Sequence, residues 1–160
     1  MHIIDTDIDR AVLKSYYDTI SAHFKLQVEA GNPYMEFYPT RNIRLSNDDP
    51  LVGTVKEILE RELRVRLTLS EAELQTWGVD SYSEMHVHDE RAACEDYNSL
   101  LYLNHDFQGG CFFTGEGIAI QPLTGRLTFF NGKTVPHGVT PVKGKHRHTA
   151  IFWWKETRFI

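Results

Sequence analysis

Two stretches near the start of the chain carry apolar residues at helical spacing. In the first, from Asp7 to about Ala30, these residues are Ile8, Val12, Tyr16, Ile20 and Phe24. In the second, Asp49 and Pro50 are followed by Leu51, Val52, Val55, Ile58, Leu59 and Leu63. Asp is a good N-cap and Pro suits the first helical turn, so a helix is predicted to begin there. The pattern therefore predicts two helices, each with one buried face.

After about Thr68 the pattern changes to short runs rich in β-branched and aromatic residues. The runs are NSLLYLN, GIAIQP, GRLTFFNG and RHTAIFWW, and Gly, Pro, Asn or Asp separates them. Such runs are typical of an antiparallel sandwich or jelly roll. We therefore expect one mostly β domain over residues 1–160, with a helical buttress over about 1–66 and a β core over about 68–155.

The segment from Tyr34 to Asn47 lies between the two predicted helices and combines aromatic and polar residues. It is interpreted either as a flap over a binding site or as an edge strand that covers the core. The edge strand is the favoured interpretation.

Composition limits the classes of function. The 160 residues are 41% hydrophobic and 24% charged, with a formal net charge of −5, which is typical of a globular domain. An acidic chain lacks the basic surface that binds nucleic acid or anionic membranes, so neither is an expected partner. The first residues do not form a signal-peptide pattern and the chain has 2 cysteines, which favours a cytoplasmic location. Nothing in the sequence indicates an oligomeric state.

Candidate metal ligands occur in the run MHVHDE and at a distant histidine. In an extended strand His86, His88 and Glu90 would share one face, and His137 occurs later in VPHGV. Two histidines and one carboxylate form a facial triad that leaves positions open on Fe(II). Each element alone is more often structural, because H-x-E pairs are common on surface strands and a lone histidine is seldom a ligand.

Arg147 is the second unusual feature. Strand alternation would place it on one face with Thr149, Ile151 and Trp153, where a guanidinium needs a buried anion. A dicarboxylate would satisfy it through a two-pronged hydrogen bond.

Taken together, these motifs resemble the iron- and 2-oxoglutarate-dependent oxygenases, in particular the prolyl hydroxylase and leprecan (prolyl 3-hydroxylase) branch. The resemblance covers roughly Tyr82 to Trp154 and runs through DYNSLLYLN, DFQGGCFF, GRLTFF, PHGV and KGKHR. It implies a double-stranded β-helix, a cupin-like jelly roll, buttressed by the helices. It also implies that Gly109 and Gly110 have an architectural role, at a turn where a side chain would clash or where positive φ is needed.

The resemblance implies a dioxygenase that uses Fe(II), 2-oxoglutarate and O₂ to hydroxylate a C–H bond, with release of succinate and CO₂. The expected substrate is a prolyl residue in a peptide or protein, or an amino acid. By the same resemblance, Tyr102 and Arg147 would hold the far carboxylate of 2-oxoglutarate, and Trp153 would line the pocket.

The sequence departs from the family at the third metal ligand, because the family motif H-x-D is absent. Reading His88 and Glu90 as H-x-E keeps a carboxylate and is the preferred interpretation. Loop length counted back from Tyr102 instead aligns His86 and His88 with the motif and gives a site of three histidines. His88 and His137 are ligands in both interpretations.

Two other functions remain open from the sequence. One is a cupin-type metal enzyme that does not use 2-oxoglutarate, and the other is a non-catalytic binding barrel. A cupin-type enzyme would leave Arg147 without an anionic partner. A non-catalytic barrel would give no role to the candidate residues, which are His88, Glu90, His137, Tyr102 and Arg147.

Overall fold

The computed structural model describes residues 1–29, 41–88 and 96–157. It contains both predicted helices, α1 (Arg10–Glu29) and α2 (Pro50–Leu63). Helix α1 begins three residues later than predicted because the Asp9 carboxylate accepts a hydrogen bond from the Ala11 amide at 2.7 Å and occupies the capping position. Ala30, the predicted end of the helix, lies outside the described residues.

Helix α2 confirms the capping prediction. Asp49 is its N-cap, and its Oδ1 accepts a hydrogen bond from the Leu51 amide at 2.9 Å. The helix ends where Arg64 adopts a left-handed conformation with φ of 53°. Neither helix in the described part of the chain has the length and apolar character that a membrane crossing needs.

The remaining elements are strands in three antiparallel sheets. They are β1 (His2–Asp5), β2 (Arg41–Arg44), β3 (Leu67–Trp77), β4 (Ser83–His86), β5 (Tyr97–Tyr102), β6 (Gln108–Gly109), β7 (Phe112–Thr114), β8 (Ala119–Ile120), β9 (Arg126–Phe130), β10 (His137–Val139), β11 (Val142–Lys143) and β12 (Arg147–Glu156). The large sheet has the order β1-β9-β5-β12-β3-β2, the second has the order β4-β10-β7-β8, and β11 pairs with β6.

Strand β12 lies inside the large sheet, between β5 and β3. Its register places Thr149 opposite Tyr102 on β5 and opposite Gln75 on β3, and Arg147 opposite Trp77. The predicted strands RHTAIFWW and NSLLYLN are thus neighbours, and Thr149 and Tyr102 lie side by side on one face.

The two faces of the large sheet pack against different layers. On one face the helices bury an apolar core that includes Leu13, Ile20, Val55, Leu59, Leu74, Leu101, Phe152 and Trp154. On the other face the smaller sheets pack over Trp77, Leu100, Tyr102, Phe112, Ile120, Phe130, Val139 and Val142. This second interface contains the candidate site.

The first 66 residues differ from a purely helical buttress. Strands β1 and β2 form the two edges of the large sheet, and β1 was not predicted. Residues 41–47 are the described part of the segment predicted as a flap or an edge strand, and within them Arg41–Arg44 form an edge strand paired with β3. Residues 34–40 of that segment lie outside the described residues.

Candidate functional site

A cavity of ≈ 180 Å³ lies between the large sheet and the sheet formed by β4, β10, β7 and β8. Histidines line one part of it and Arg147 another. The lining includes His86, His88, His137, Arg147, Ile151 and Trp153. One cavity therefore joins the three predicted histidine ligands to Arg147, the predicted anion-binding residue.

The three histidines come together through strand pairing. His137 opens β10 and is the register partner of His86 at the end of β4. His88 lies two residues beyond β4, and its amide donates a hydrogen bond of 2.8 Å to the Gly132 carbonyl. One nitrogen from each of the three rings lies within 4.8 Å of the others.

Hydrogen bonds fix the tautomers of two of these rings. His137 Nδ1 lies 2.7 Å from the Val135 carbonyl, and His86 Nδ1 lies 2.8 Å from the Glu84 carbonyl. A carbonyl can only accept, so in both rings Nδ1 carries a proton. With the proton on Nδ1, Nε2 is the nitrogen whose lone pair can bind a metal.

The spacing of His88 and His137 fits a metal. Their Nε2 atoms are 3.1 Å apart. Two nitrogen donors about 2.1 Å from one ion and at right angles to each other lie roughly 3.0 Å apart. Imidazole donors suit iron and zinc, whereas calcium and magnesium prefer oxygen donors. The donor set therefore fits a first-row transition metal.

Aromatic rings surround His137, which is only 5% exposed. The ring of Phe112 stacks on it at a centroid distance of 5.4 Å, and the ring of Phe130 meets it edge-on at 4.9 Å. These contacts hold the imidazole in one orientation and keep water from its sides.

Sequence alternation explains only part of the histidine cluster. It predicted that His86, His88 and Glu90 share one face of a strand, but β4 ends at His86 and His88 reaches the cluster from beyond the strand. Glu90 lies outside the described residues, so its prediction as a ligand remains a prediction.

The Arg147 side chain is fully buried. Its guanidinium carbon lies 5.2 Å from the centre of the Trp77 ring and 5.3 Å from that of Tyr102. None of its three nitrogens has a hydrogen-bond partner among the described residues. Burial lowers the pKa of Arg147 from its usual value, because the charged form loses water. A buried cation of this kind requires an anion.

Two hydroxyl groups accompany the guanidinium. Tyr102 and Thr149 are register partners, and the hydroxyl oxygen of each is buried without a hydrogen-bond partner in the described part of the chain. A carboxylate can accept hydrogen bonds from a guanidinium and from hydroxyls at once. Sequence analysis gave Thr149 no role in binding, although it placed the residue on the Arg147 face.

Trp153 lines the cavity together with Ile151 from the same face of β12; its role beside 2-oxoglutarate stays a prediction. Trp77 also lines the cavity, and no sequence pattern singled out the strand β3 to which it belongs. Gly109 and Gly110 have φ values of 65° and 60°, which confirms the positive φ predicted for the GG turn.

The sequence over residues 72–155 matches the family described as the 2OG-Fe(II) oxygenase superfamily. The chain belongs to this superfamily. The family in general uses Fe(II), 2-oxoglutarate and O₂. The three histidines and the buried Arg147 lie in the same cavity, and their chemistry fits the metal and the dicarboxylate respectively.

A curated relative shares part of this region. Prolyl 3-hydroxylase 1 of Gallus gallus is 39% identical over 66 residues, which make up 37% of this chain and 9% of that protein. The chain thus corresponds to a small part of a much longer relative.

Solved structures show the fold. A viral collagen prolyl hydroxylase from Paramecium Bursaria Chlorella virus-1, in complex with 2OG, has a TM-score of 0.72 at 14% identity, with 98% of this chain and 96% of that chain covered. A prolyl hydroxylase from Trichoplax adhaerens, in complex with a hypoxia inducible factor peptide fragment, has a TM-score of 0.75 at 15% identity, with coverage of 96% and 82%. The fold is the double-stranded β-helix of 2-oxoglutarate oxygenases, as the resemblance implied.

Proposed function

We propose that this chain is an Fe(II)- and 2-oxoglutarate-dependent dioxygenase that hydroxylates a prolyl residue in a peptide or protein. The observation that carries the proposal is the cavity in which three histidines meet the guanidinium of Arg147, whose nitrogens have no hydrogen-bond partner in the described part of the chain. The prolyl assignment is supported by the matching segment of prolyl 3-hydroxylase 1 and by the prolyl hydroxylase structures.

His86, His88 and His137 are the proposed metal ligands. The ring nitrogens of these residues lie together, and the Nδ1 protons of His86 and His137 are held by backbone carbonyls. Such hydrogen bonds aim the Nε2 lone pair and raise its basicity. A site of three neutral imidazoles would carry one negative charge fewer than a site of two histidines and one carboxylate.

Arg147, Tyr102 and Thr149 are the proposed receptors for the far carboxylate of 2-oxoglutarate. Arg147 would supply the charge, and the two hydroxyls would donate hydrogen bonds to the same carboxylate. Trp77 and Tyr102 flank the guanidinium and hold it in place. Because the pocket is buried, each of these contacts is stronger than it would be in water.

The bound iron, with O₂ and 2-oxoglutarate, would supply the oxidising chemistry that turns a C–H bond into C–OH and releases succinate and CO₂. The protein contributes orientation and exclusion of water. The rings of Phe112 and Phe130 around His137 keep the metal side of the cavity apolar. Trp153 and Ile151 form a wall of the same cavity.

Succinate formation tests the proposal. Anaerobically purified protein is given Fe(II), 2-oxoglutarate, O₂ and a proline-containing peptide, and mass spectrometry reports whether the peptide gains an oxygen atom. Arg147→Ala and His137→Ala should abolish both products. Arg44→Ala removes a cation that is 71% exposed and paired with Glu71 at 2.8 Å, and it should leave both products unchanged.

Calorimetry separates this proposal from the rival functions. If the wild-type protein forms no succinate and binds 2-oxoglutarate no better with metal than without it, the dioxygenase proposal is wrong. A cupin-type metal enzyme would then bind metal alone, and a non-catalytic barrel would bind neither. Both rivals leave the guanidinium of Arg147 without an anionic partner.

A further inference from the structure

Gly132 lies beside the edge of the His88 ring that contains Nδ1 and Cε1. A Cβ atom at Gly132 would lie 2.4 Å from His88 Nδ1 and 2.5 Å from Asn98 Oδ1. Both distances are well inside van der Waals contact, so the two side chains occupy space that any other residue would fill. The φ of Gly132 is not positive, so the position requires glycine for space and not for backbone conformation.

Asn98 supplies a polar atom at the same place. It lies on β5, is 3% exposed and lines the cavity. Its Oδ1 is buried and accepts no hydrogen bond from the residues that the structure describes. A buried acceptor without a hydrogen bond destabilises the protein, so we expect this oxygen to accept one when the metal is bound.

His88 can provide that donor in the metal-bound protein. Its Nε2 faces His137 Nε2 at 3.1 Å, while its Nδ1 and Asn98 Oδ1 lie 2.4 Å and 2.5 Å from the point that a Cβ at Gly132 would occupy. A neutral imidazole that binds a metal through Nε2 carries its proton on Nδ1. Metal-binding histidines almost always donate this proton to a carboxylate, a carbonyl or water.

We infer that Asn98 is a positioning residue for His88: in the metal-bound protein, His88 Nδ1–H donates a hydrogen bond to Asn98 Oδ1, in a space that Gly132 leaves open. This inference rests on the proposed function, in which His88 is a ligand. When His86-Val87-His88 is aligned with the family motif H-x-D, His88 replaces an aspartate. An imidazole is larger than a carboxylate. It therefore needs room next to Gly132, and its Nδ1–H group needs a hydrogen-bond acceptor.

Metal affinity of the full chain tests the inference through a readout other than activity. Competition with a chelator measures Zn(II) and Co(II) binding. Asn98→Leu has a similar volume and no acceptor, and it should bind about 10- to 100-fold more weakly. Asn98→Asp keeps an acceptor oxygen and should retain tight binding. Unchanged affinity in Asn98→Leu would overturn the inference.

Glycine variants test whether the His88 ring needs the space that Gly132 leaves open. Gly132→Ala should weaken metal binding at least as much as Asn98→Leu, because the new methyl group would overlap the imidazole. Gly53→Ala is the matched control, since a Cβ there meets nothing within 4 Å. It should leave metal affinity unchanged. Equal metal affinities in the two glycine variants would contradict the role of Gly132.

A measurement on the wild-type protein does not depend on the folding of any variant. Long-range ¹H–¹⁵N spectra of the Zn(II)-loaded protein report which nitrogen of each histidine carries the proton. The inference requires that His88 is protonated at Nδ1 and bound through Nε2, and the opposite tautomer overturns it. If the wild-type protein binds no Zn(II), Co(II) or Fe(II), the proposed metal site is wrong. If the wild-type protein binds metal tightly and Asn98→Leu binds it equally well, only the role of Asn98 is wrong.

Discussion

The backbone of Gly110 lies against the aliphatic part of Arg147, and a Cβ at Gly110 would be 3.0 Å from Arg147 Cδ. The same Cβ would be 2.8 Å from Phe107 Cε2, and the residue has a φ of +60°. Arg147 therefore keeps its position in the cavity partly because residue 110 has no side chain.

Gly110→Ala is expected to reduce binding of 2-oxoglutarate. The methyl group would push the Arg147 side chain, and a misplacement of this size costs on the order of 10-fold or more in binding or rate. Calorimetric titration of 2-oxoglutarate into the metal-loaded protein measures the change.

Gly117→Ala is the control for backbone strain. Its φ is +82°, and a Cβ there meets nothing within 4 Å. Both variants should lose about 1–2 kcal/mol of stability from the left-handed conformation, but only Gly110→Ala should lose affinity for 2-oxoglutarate. If the two variants bind 2-oxoglutarate with equal affinity, the contact between residue 110 and Arg147 does not contribute to binding.

The third metal ligand is tested by paired variants. His86→Ala should weaken Fe(II) or Co(II) binding by more than the roughly 10- to 100-fold that is typical of removing a supporting group. Glu90→Gln removes the carboxylate of the alternative ligand set and should leave metal affinity near the wild-type value. The reverse result would assign the ligand to Glu90, as the H-x-E interpretation predicts.

Tyr16 links α1 to the cap of α2. Its hydroxyl donates a 2.5 Å hydrogen bond to Asp49 Oδ1. Burial, together with this bond to Asp49, raises the pKa of Tyr16 to about 12. Tyr16→Phe should lower the free energy of unfolding by about 1–2 kcal/mol, because hydrogen bonds to charged groups are among the stronger ones.

Urea unfolding measures this loss, and Tyr17→Phe is the control. Tyr17 is the next residue on α1, and its ring meets His148 edge-on at 4.9 Å. The control should change stability by less than about 0.5 kcal/mol. If the two variants lose equal stability, the bond between Tyr16 and Asp49 is not what stabilises the helix pair.

His148 makes stability depend on pH. Burial, together with the nearby His146, lowers its pKa to about 4, and Asp106 opposes the shift. The unfolded chain binds this proton near pH 6.5 and the folded protein does not. The neutral histidine therefore contributes its full stability above pH 6.5, and this contribution is lost as the pH falls toward 4.

Between pH 6.5 and 4, the free energy of unfolding is expected to change by up to about 1.4 kcal/mol per pH unit because of His148. Urea unfolding at a series of pH values measures it. His148→Asn removes the titrating group and should reduce the slope over this interval. An identical slope in the variant would assign the pH dependence to other groups.

The sequence determined the local elements and most of the chemistry of the site. The cap at Asp49 and the apolar period predicted α2, and alternation along β12 placed Arg147 and Trp153 on the cavity side. These features depend on neighbours in sequence, because helix caps and strand faces are set by residues only a few positions apart.

Only the tertiary structure brought His86, His88 and His137 together, through the pairing of β4 with β10 across 51 residues of sequence. It also showed that Trp77 flanks Arg147 and that Gly132 leaves room beside His88. Register and close approach between distant strands are decided by the packing of the whole core. No local pattern encodes them, because the contacts that select them lie far apart along the chain.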